Sequence, residues 1–184
     1  NRNVTLNIFT DKAGGSPYCT GNQPFGIDLG SNVFVYCVKA EGTSLNSGTN
    51  YYYDIDLRNG DSLSSIIQAG LSLTYDGSNR PSFSLPPDNL DDVRLVHGSC
   101  RKPHGEGYDA LEGVHEMLLG SVSGSLLNAI NRPHQLFLTG DQIYADDVAD
   151  ILLFMIDDAS SVLFGPGGED YTPFTIDELK PGKR

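Results

Sequence analysis

The sequence predicts a β module followed by the opening of a parallel α/β layer, and three observations predict it. Before about residue 85, short runs alternate apolar and polar residues and are separated by clusters of Gly, Ser, Asn and Asp, which are turn chemistry. Then "SLPPDNLDD", residues 84–92, sets Pro-Pro beside acidic residues, the composition of a stiff, solvated linker. After it the order becomes strand, helix, strand, helix, the signature of a βαβ unit with parallel strands. The expected boundaries are a β module over 1–85, a linker over 86–92 and an α/β part over 93–184.

The β elements follow in order. "VTLNIFT" (Val4 to Thr10) alternates as a half-buried strand should, and "NVFVYCVKA" (Asn32 to Ala40) is rich in β-branched and aromatic residues. "NYYYDIDL" (Asn50 to Leu57) alternates again, with Asn59-Gly60 after it as a hairpin signal. "LSLTY" and "PSFSL" read as short later strands. "DIDLRNGDS" also invites a calcium-loop reading, which fails: the sixth loop position is Asn59 rather than Gly and the twelfth is Ser65 rather than Glu.

Within this half, "LNSGTNYYYDI" places Leu45, Thr49, Tyr51, Tyr53 and Ile55 in a pattern that resembles the E–F corner of Ig and fibronectin type III-like sandwiches. There a Tyr at the start of a strand bonds its hydroxyl back to the preceding loop, and Tyr51 is the candidate. The alternative is a strand that is merely rich in Tyr. Too few residues precede Leu45 for every strand of a sandwich, so an incomplete module is expected.

In the second half, "VRLVHGSC" (Val93 to Cys100) is an apolar strand ending in small residues. Leu111, Val114, Leu118, Val122 and Leu126 then fall three or four apart, as on one face of a helix. Gly120 and Gly124 favour a break into two helices, and Pro133 ends the pattern. "HQLFLTGD" is the second strand. "DDVADILLFMIDDASSVLF" is the second helix, with Asp146 and Asp147 placed to cap its first turn.

Composition narrows the function. The chain has 184 residues, of which 39% are hydrophobic, enough for a core. Its net charge of -12 argues against nucleic acid and against an anionic membrane surface as partners. An anionic substrate would need a metal or a local basic group. No apolar run is long enough to span a bilayer. The opening residues lack the layout of a signal peptide and an initiator Met, so a processed chain or a fragment is expected. Low cysteine use suits a bacterial cytoplasm, while a cleaved export signal from a periplasmic or secreted protein would leave the same chain. Cys19 and Cys37 could pair, but small buried apolar residues are the plainer reading.

The chemistry concentrates at two strand ends. In a βαβ unit whose sequential strands are adjacent, the carboxyl ends lie side by side, and ligands of open α/β sheets bind there. The residues at those ends are Cys100 and Asp141, and Tyr144 can fold back onto the same spot. Thiolate, carboxylate and phenolate together favour a highly charged cation such as ferric iron, which ionises thiol and phenol. Asp141 has a second oxygen for a harder cation such as calcium. Each residue also has a structural reading: buried thiol, helix cap and core aromatic. Arg101, beside Cys100, is a candidate for a substrate phosphate, or for a surface ion pair. Of His97, His104, His115 and His134, only His104, in a Gly-rich loop, is kept as a candidate ligand.

"GSCR" followed by "LTGDQIYADD" resembles the PhoD-like (alkaline phosphatase D type) branch of the calcineurin-like metallophosphoesterases. That branch carries Gly-Ser-Cys at the first strand end and Gly-Asp-x-x-Tyr at the second, matching Gly98-Ser99-Cys100 and Gly140-Asp141-Gln142-Ile143-Tyr144. It also carries an Ig-like module ahead of its catalytic domain. The resemblance implies that Cys100 and Tyr144 bind Fe3+, that Asp141 bridges Fe3+ and Ca2+, and that phosphate mono- or diesters are hydrolysed. The family's later Gly-Asn-His motif and further His and Asp ligands do not occur here. The chain is therefore expected to be the front portion of such an enzyme, inactive alone, with the missing C-terminal half as its partner and with self-association through an exposed sheet edge. A second reading is a non-catalytic β-sandwich module that holds a protein or carbohydrate on Tyr51, Tyr52 and Tyr53.

Overall fold

The computed structural model describes residues 3–41, 44–57, 60–71, 73–102, 105–123, 126–144 and 149–165. In chain order the strands are β1 (Val4–Phe9), β2 (Cys19–Gln23), β3 (Ile27–Asp28), β4 (Phe34–Val35), β5 (Asn50–Asp56), β6 (Ser82–Ser84), β7 (Leu95–Gly98), β8 (Val122–Ser123), β9 (Leu126–Leu127) and β10 (Gln135–Leu138). The helices are α1 (Leu63–Gln68), α2 (Leu111–Gly120) and α3 (Asp150–Phe164). Two compact units result: residues 1–24 with 38–144, and residues 25–37 with 145–184.

The first unit is built on a four-stranded antiparallel sheet in the order β2-β1-β5-β6. Period-two alternation gives it two different faces. On one, Ile8, Cys19 and Tyr51 form the core, with Leu6, Leu45, Tyr53, Phe83 and Leu85 packed on them. The rings of Tyr51 and Phe83 stack 5.7 Å apart. The other face is polar but bonded: Asn7 takes a bond from Thr20 and gives one to Asp56, Tyr52 donates to Asp76 at 2.8 Å, and Ser64 donates to Asp54. Most buried polar groups of this layer are paired, as they must be away from water, although Arg80 Nη1 and Arg132 Nε have no hydrogen-bond partner. Burial and the bond to Asp76 push the Tyr52 phenol well above its usual pKa.

Tyr51 is 1% exposed, and its hydroxyl accepts the Asn46 backbone N–H at 2.8 Å, five residues back. This is the corner bond expected for that residue. The loop between them turns at Gly48, whose N–H donates to the carbonyls of both Leu85 and Pro86 at 3.2 Å. The start of the 86–92 segment is thus fastened to the β module. That segment ends in a single 3-10 turn, Leu90–Asp92, capped by Asn89.

Beyond it, β7 and β10 pair in parallel, Leu95 opposite Gln135 and Gly98 opposite Leu138. The side of the first unit that carries them is tied to the β module by Asn50, which donates to the Leu127 carbonyl at 2.7 Å, and by Arg132, which donates to the Ser82 hydroxyl and carbonyl.

Four expected elements differ. The run 32–40 is split: Phe34 and Val35 pair with β3 in the second unit, while Glu41 makes one bridge to Thr20 in the first. "LSLTY" forms no strand among its described residues; Leu71 and Leu73 stay half exposed, and Asp76 just beyond turns inward to Tyr52. After β5 the expected hairpin is reduced to one antiparallel bridge, Asp56 to Ser62, with Asn59 outside the described residues, and the chain then enters α1, whose capping box pairs Ser62 and Ser65 reciprocally. After Gly120 the hairpin β8–β9 replaces a second helix, because the Ser121 N–H and hydroxyl fold back onto the last carbonyls of α2 and end it. The cap proposed at Asp146 and Asp147 lies outside the described residues.

In the second unit, the backbone N–H groups of Ser31 and Asn32 donate to the carbonyls of Phe164 and Leu163 at the end of α3. Apolar side chains ring α3 and are exposed in this unit, Phe154 and Ile151 most of all. No helix among the described residues is long and apolar enough to cross a membrane.

Candidate functional site

The parallel pairing of β7 and β10 brings their carboxyl ends together, and the chain leaves both in the same way. Thr139 N–H donates to the Gly98 carbonyl at 3.1 Å, and Cys100 N–H donates to the Gly140 carbonyl at 3.0 Å. The Gly140 carbonyl also takes bonds from the Ser99 hydroxyl and the Gln142 amide. Cys100 and Asp141 then both adopt left-handed backbone, φ 54° and 51°. Among the described non-glycine residues these two alone have positive φ. Such residues cluster at sites where the surrounding structure over-determines them.

The left-handed turns aim the side chains at one another. Cys100 Sγ lies 3.5 Å from Asp141 Oδ2, and Tyr144 Oη lies 3.5 Å from the same oxygen. Sequence therefore placed three residues, from two strand ends, that the fold does bring together. Desolvation, with the neighbouring Cys100 and Asp141, pushes the Tyr144 phenol up to about 12.

Arg101 is held rather than free. Its Nε and Nη2 grip Asp109 side-on, the shortest contact being 2.6 Å. The pair raises the guanidinium and lowers the carboxyl, each mainly through their shared hydrogen bonds. Asp109 also accepts the Leu111 N–H at the start of α2. The same carboxylate thus fixes both the arginine and the helix entry. Asp109 was not singled out from sequence. The signal was there, an acid two residues before an apolar-periodic run.

The histidines sort as follows. His97 Nε2 bonds the Thr139 hydroxyl across the two strands. His134 is fully engaged: Arg94 N–H donates to Nδ1 at 2.9 Å, so the proton sits on Nε2, which donates to the Ala129 carbonyl. His115 bonds and packs on Tyr75. It also stands with Glu112 and Glu116 on one exposed face of α2, their ligand atoms within 4.8 Å of one another, a cluster the sequence reading missed although the spacing of three and four shows it. His104 lies outside the described residues. All three cysteines are free thiols, Cys19 in the core, Cys37 and Cys100 exposed.

Beside the strand ends is a cavity of about 480 Å3, reaching from Cys100 and Gln142 down between α2 and one face of the β7–β10 pair. No family model matches this sequence, and no curated protein and no solved structure matches it either.

Proposed function

We propose that the chain is the front portion of a PhoD-like metallophosphoesterase: an Ig-like β module, then the first βαβα part of the catalytic domain. The observation that carries this reading is the meeting of Cys100, Asp141 and Tyr144 around one carboxylate oxygen. Donor atoms about 3.5 Å apart suit a shared ion at bonds of about 2.0–2.4 Å. The donor set fits Fe3+: a thiol, a carboxylate and a phenol that only a strong Lewis acid would ionise at neutral pH. The second oxygen of Asp141 would serve Ca2+, whose remaining oxygen ligands would come from the C-terminal half. When bound, the pair of metals would supply an activated water and charge stabilisation for in-line attack on a phosphate ester.

The chain's own residues do the rest. Gly140 gathers three hydrogen bonds and so fixes where the two tips lie. Asp109 holds the Arg101 guanidinium next to Cys100, where it would meet a phosphoryl oxygen. Tyr51 and Tyr52 are buried, which removes two of the three rings on which a tyrosine-lined binding face would depend.

The test is iron titration of the purified chain. Thiolate and phenolate bound to Fe3+ should give a visible charge-transfer band. Cys100→Ser should remove its thiolate component and Tyr144→Phe its phenolate component, and Cys100→Ser should change stability little, since the residue is exposed. A chain extended past Arg184 should hydrolyse a chromogenic phosphodiester with iron and calcium, while the 184-residue chain should not. Colourless binding, or equal turnover by both chains, would count against the assignment.

A further inference from the structure

We infer that Ser99 is a positioning residue for the Cys100 sulfur: its hydroxyl donates a hydrogen bond to Sγ and so fixes the orientation and the electronic energy with which that sulfur meets a cation. The inference rests on the proposed metal site and deepens that reading by one residue. Ser99 Oγ stands between two acceptors, 3.4 Å from Cys100 Sγ and 3.3 Å from the Gly140 carbonyl oxygen. The carbonyl decides which of them takes the proton. A carbonyl oxygen has two lone pairs. Those of Gly140 are met by the Gln142 amide at 2.6 Å and the Cys100 N–H at 3.0 Å, both closer than the hydroxyl. The hydroxyl is the third and longest donor. Rotation about its Cβ–Oγ bond carries the proton to sulfur without moving a heavy atom.

The sulfur's other neighbours point the same way. Sγ is in contact with Asp141 and Tyr144 as well as Ser99. Carboxylate and phenolate bound to a cation would have no proton to give, so Ser99 is the donor that remains to a bound thiolate. The backbone holds it in place: Cys100 N–H is fastened to the Gly140 carbonyl, and its φ of 54° sets Cys100 relative to the residue before it. A hydrogen bond to sulfur lowers the energy of the sulfur lone pairs. More energy is then needed to move an electron from sulfur to a bound Fe3+. Partners that bond to metal ligands orient and tune them in this way, hydrogen bonds to sulfur included.

The experiment is an Fe3+ titration of the 184-residue chain, followed by visible absorption, on wild type, Ser99→Ala, Ser99→Thr, Cys100→Ser and Tyr144→Phe. The last two variants divide the charge-transfer absorption into thiolate and phenolate components. Ser99→Ala should move the thiolate component to longer wavelength and leave the phenolate component where it stands. Ser99→Thr keeps the hydroxyl and should restore the wild-type position. Ser99 is exposed, so both variants should fold, which chemical denaturation checks. A thiolate component that stays in place in Ser99→Ala overturns the inference and leaves the metal site standing. So does a shift of both components together, the result of a purely structural role. If wild type shows neither component, the metal site fails and the inference fails with it.

Discussion

The antiparallel sheet and the parallel pair of the first unit bury their apolar residues to very different degrees. In the first, Tyr51 is 1% and Ile8 5% exposed; in the second, Leu95 is 56%, Phe137 48% and Leu136 46% exposed. Parallel strands are ordinarily covered on both faces, and β7 and β10 leave both of theirs half exposed, whereas β1, β2, β5 and β6 have a core. Burial in the first unit is therefore concentrated in the β module, while Cys100, Asp141 and Tyr144 meet on a part that buries little.

The sharpest way to break that comparison is to truncate one side chain in each region. Tyr51→Ala should destabilise the chain by about 3–5 kcal/mol, as for other large aromatic deletions in cores, and Leu136→Ala by less than about 1 kcal/mol. Chemical denaturation of both variants measures the gap; similar values would mean that the two regions are equally consolidated. Arg132→Ala should come next, at about 1–3 kcal/mol, because it removes two bonds to Ser82 within a buried layer. Tyr51→Phe isolates the corner bond and should cost about 1 kcal/mol, leaving the Asn46 N–H without its partner.

The smallest effect is a pH dependence at the site. The Tyr144 phenol rises from an ordinary 10.0 to about 12 in the folded chain. A raised folded value means that this group's contribution is fully present below pH 10 and is lost as pH rises through about 12, since the unfolded chain ionises first. Tyr144→Phe should therefore make the metal-free chain slightly less sensitive to alkali, read as a shift of the alkaline unfolding midpoint.

Sequence made the strand ends legible because a parallel pairing converts two separate apolar runs into one shared edge, and Gly140-Asp141 marks where the second run stops. The Tyr51 corner was legible for a similar reason: its bond is local. What could not be read were outcomes decided by partners. Nothing in "NVFVYCVKA" says that its halves join different units, and nothing in Gly120-Ser121 alone chooses a hairpin over a second helix. Arg101 shows the same limit. Its position beside Cys100 was evident, but its grip on Asp109 depends on how the loop returns to α2.

The left-handed backbone at Cys100 and Asp141 has a consequence for how these positions would change over time. A β-carbon in that region carries a cost of roughly 1–2 kcal/mol, which glycine escapes. Cys100→Gly and Asp141→Gly should accordingly leave the fold as stable as before, or more so, while removing two of the three groups at the strand ends. Under mutational drift filtered by stability alone, both positions would be free to become glycine. Either change would relax the backbone while dispersing the cluster around Asp141, so stability and the side-chain cluster pull these two residues in opposite directions.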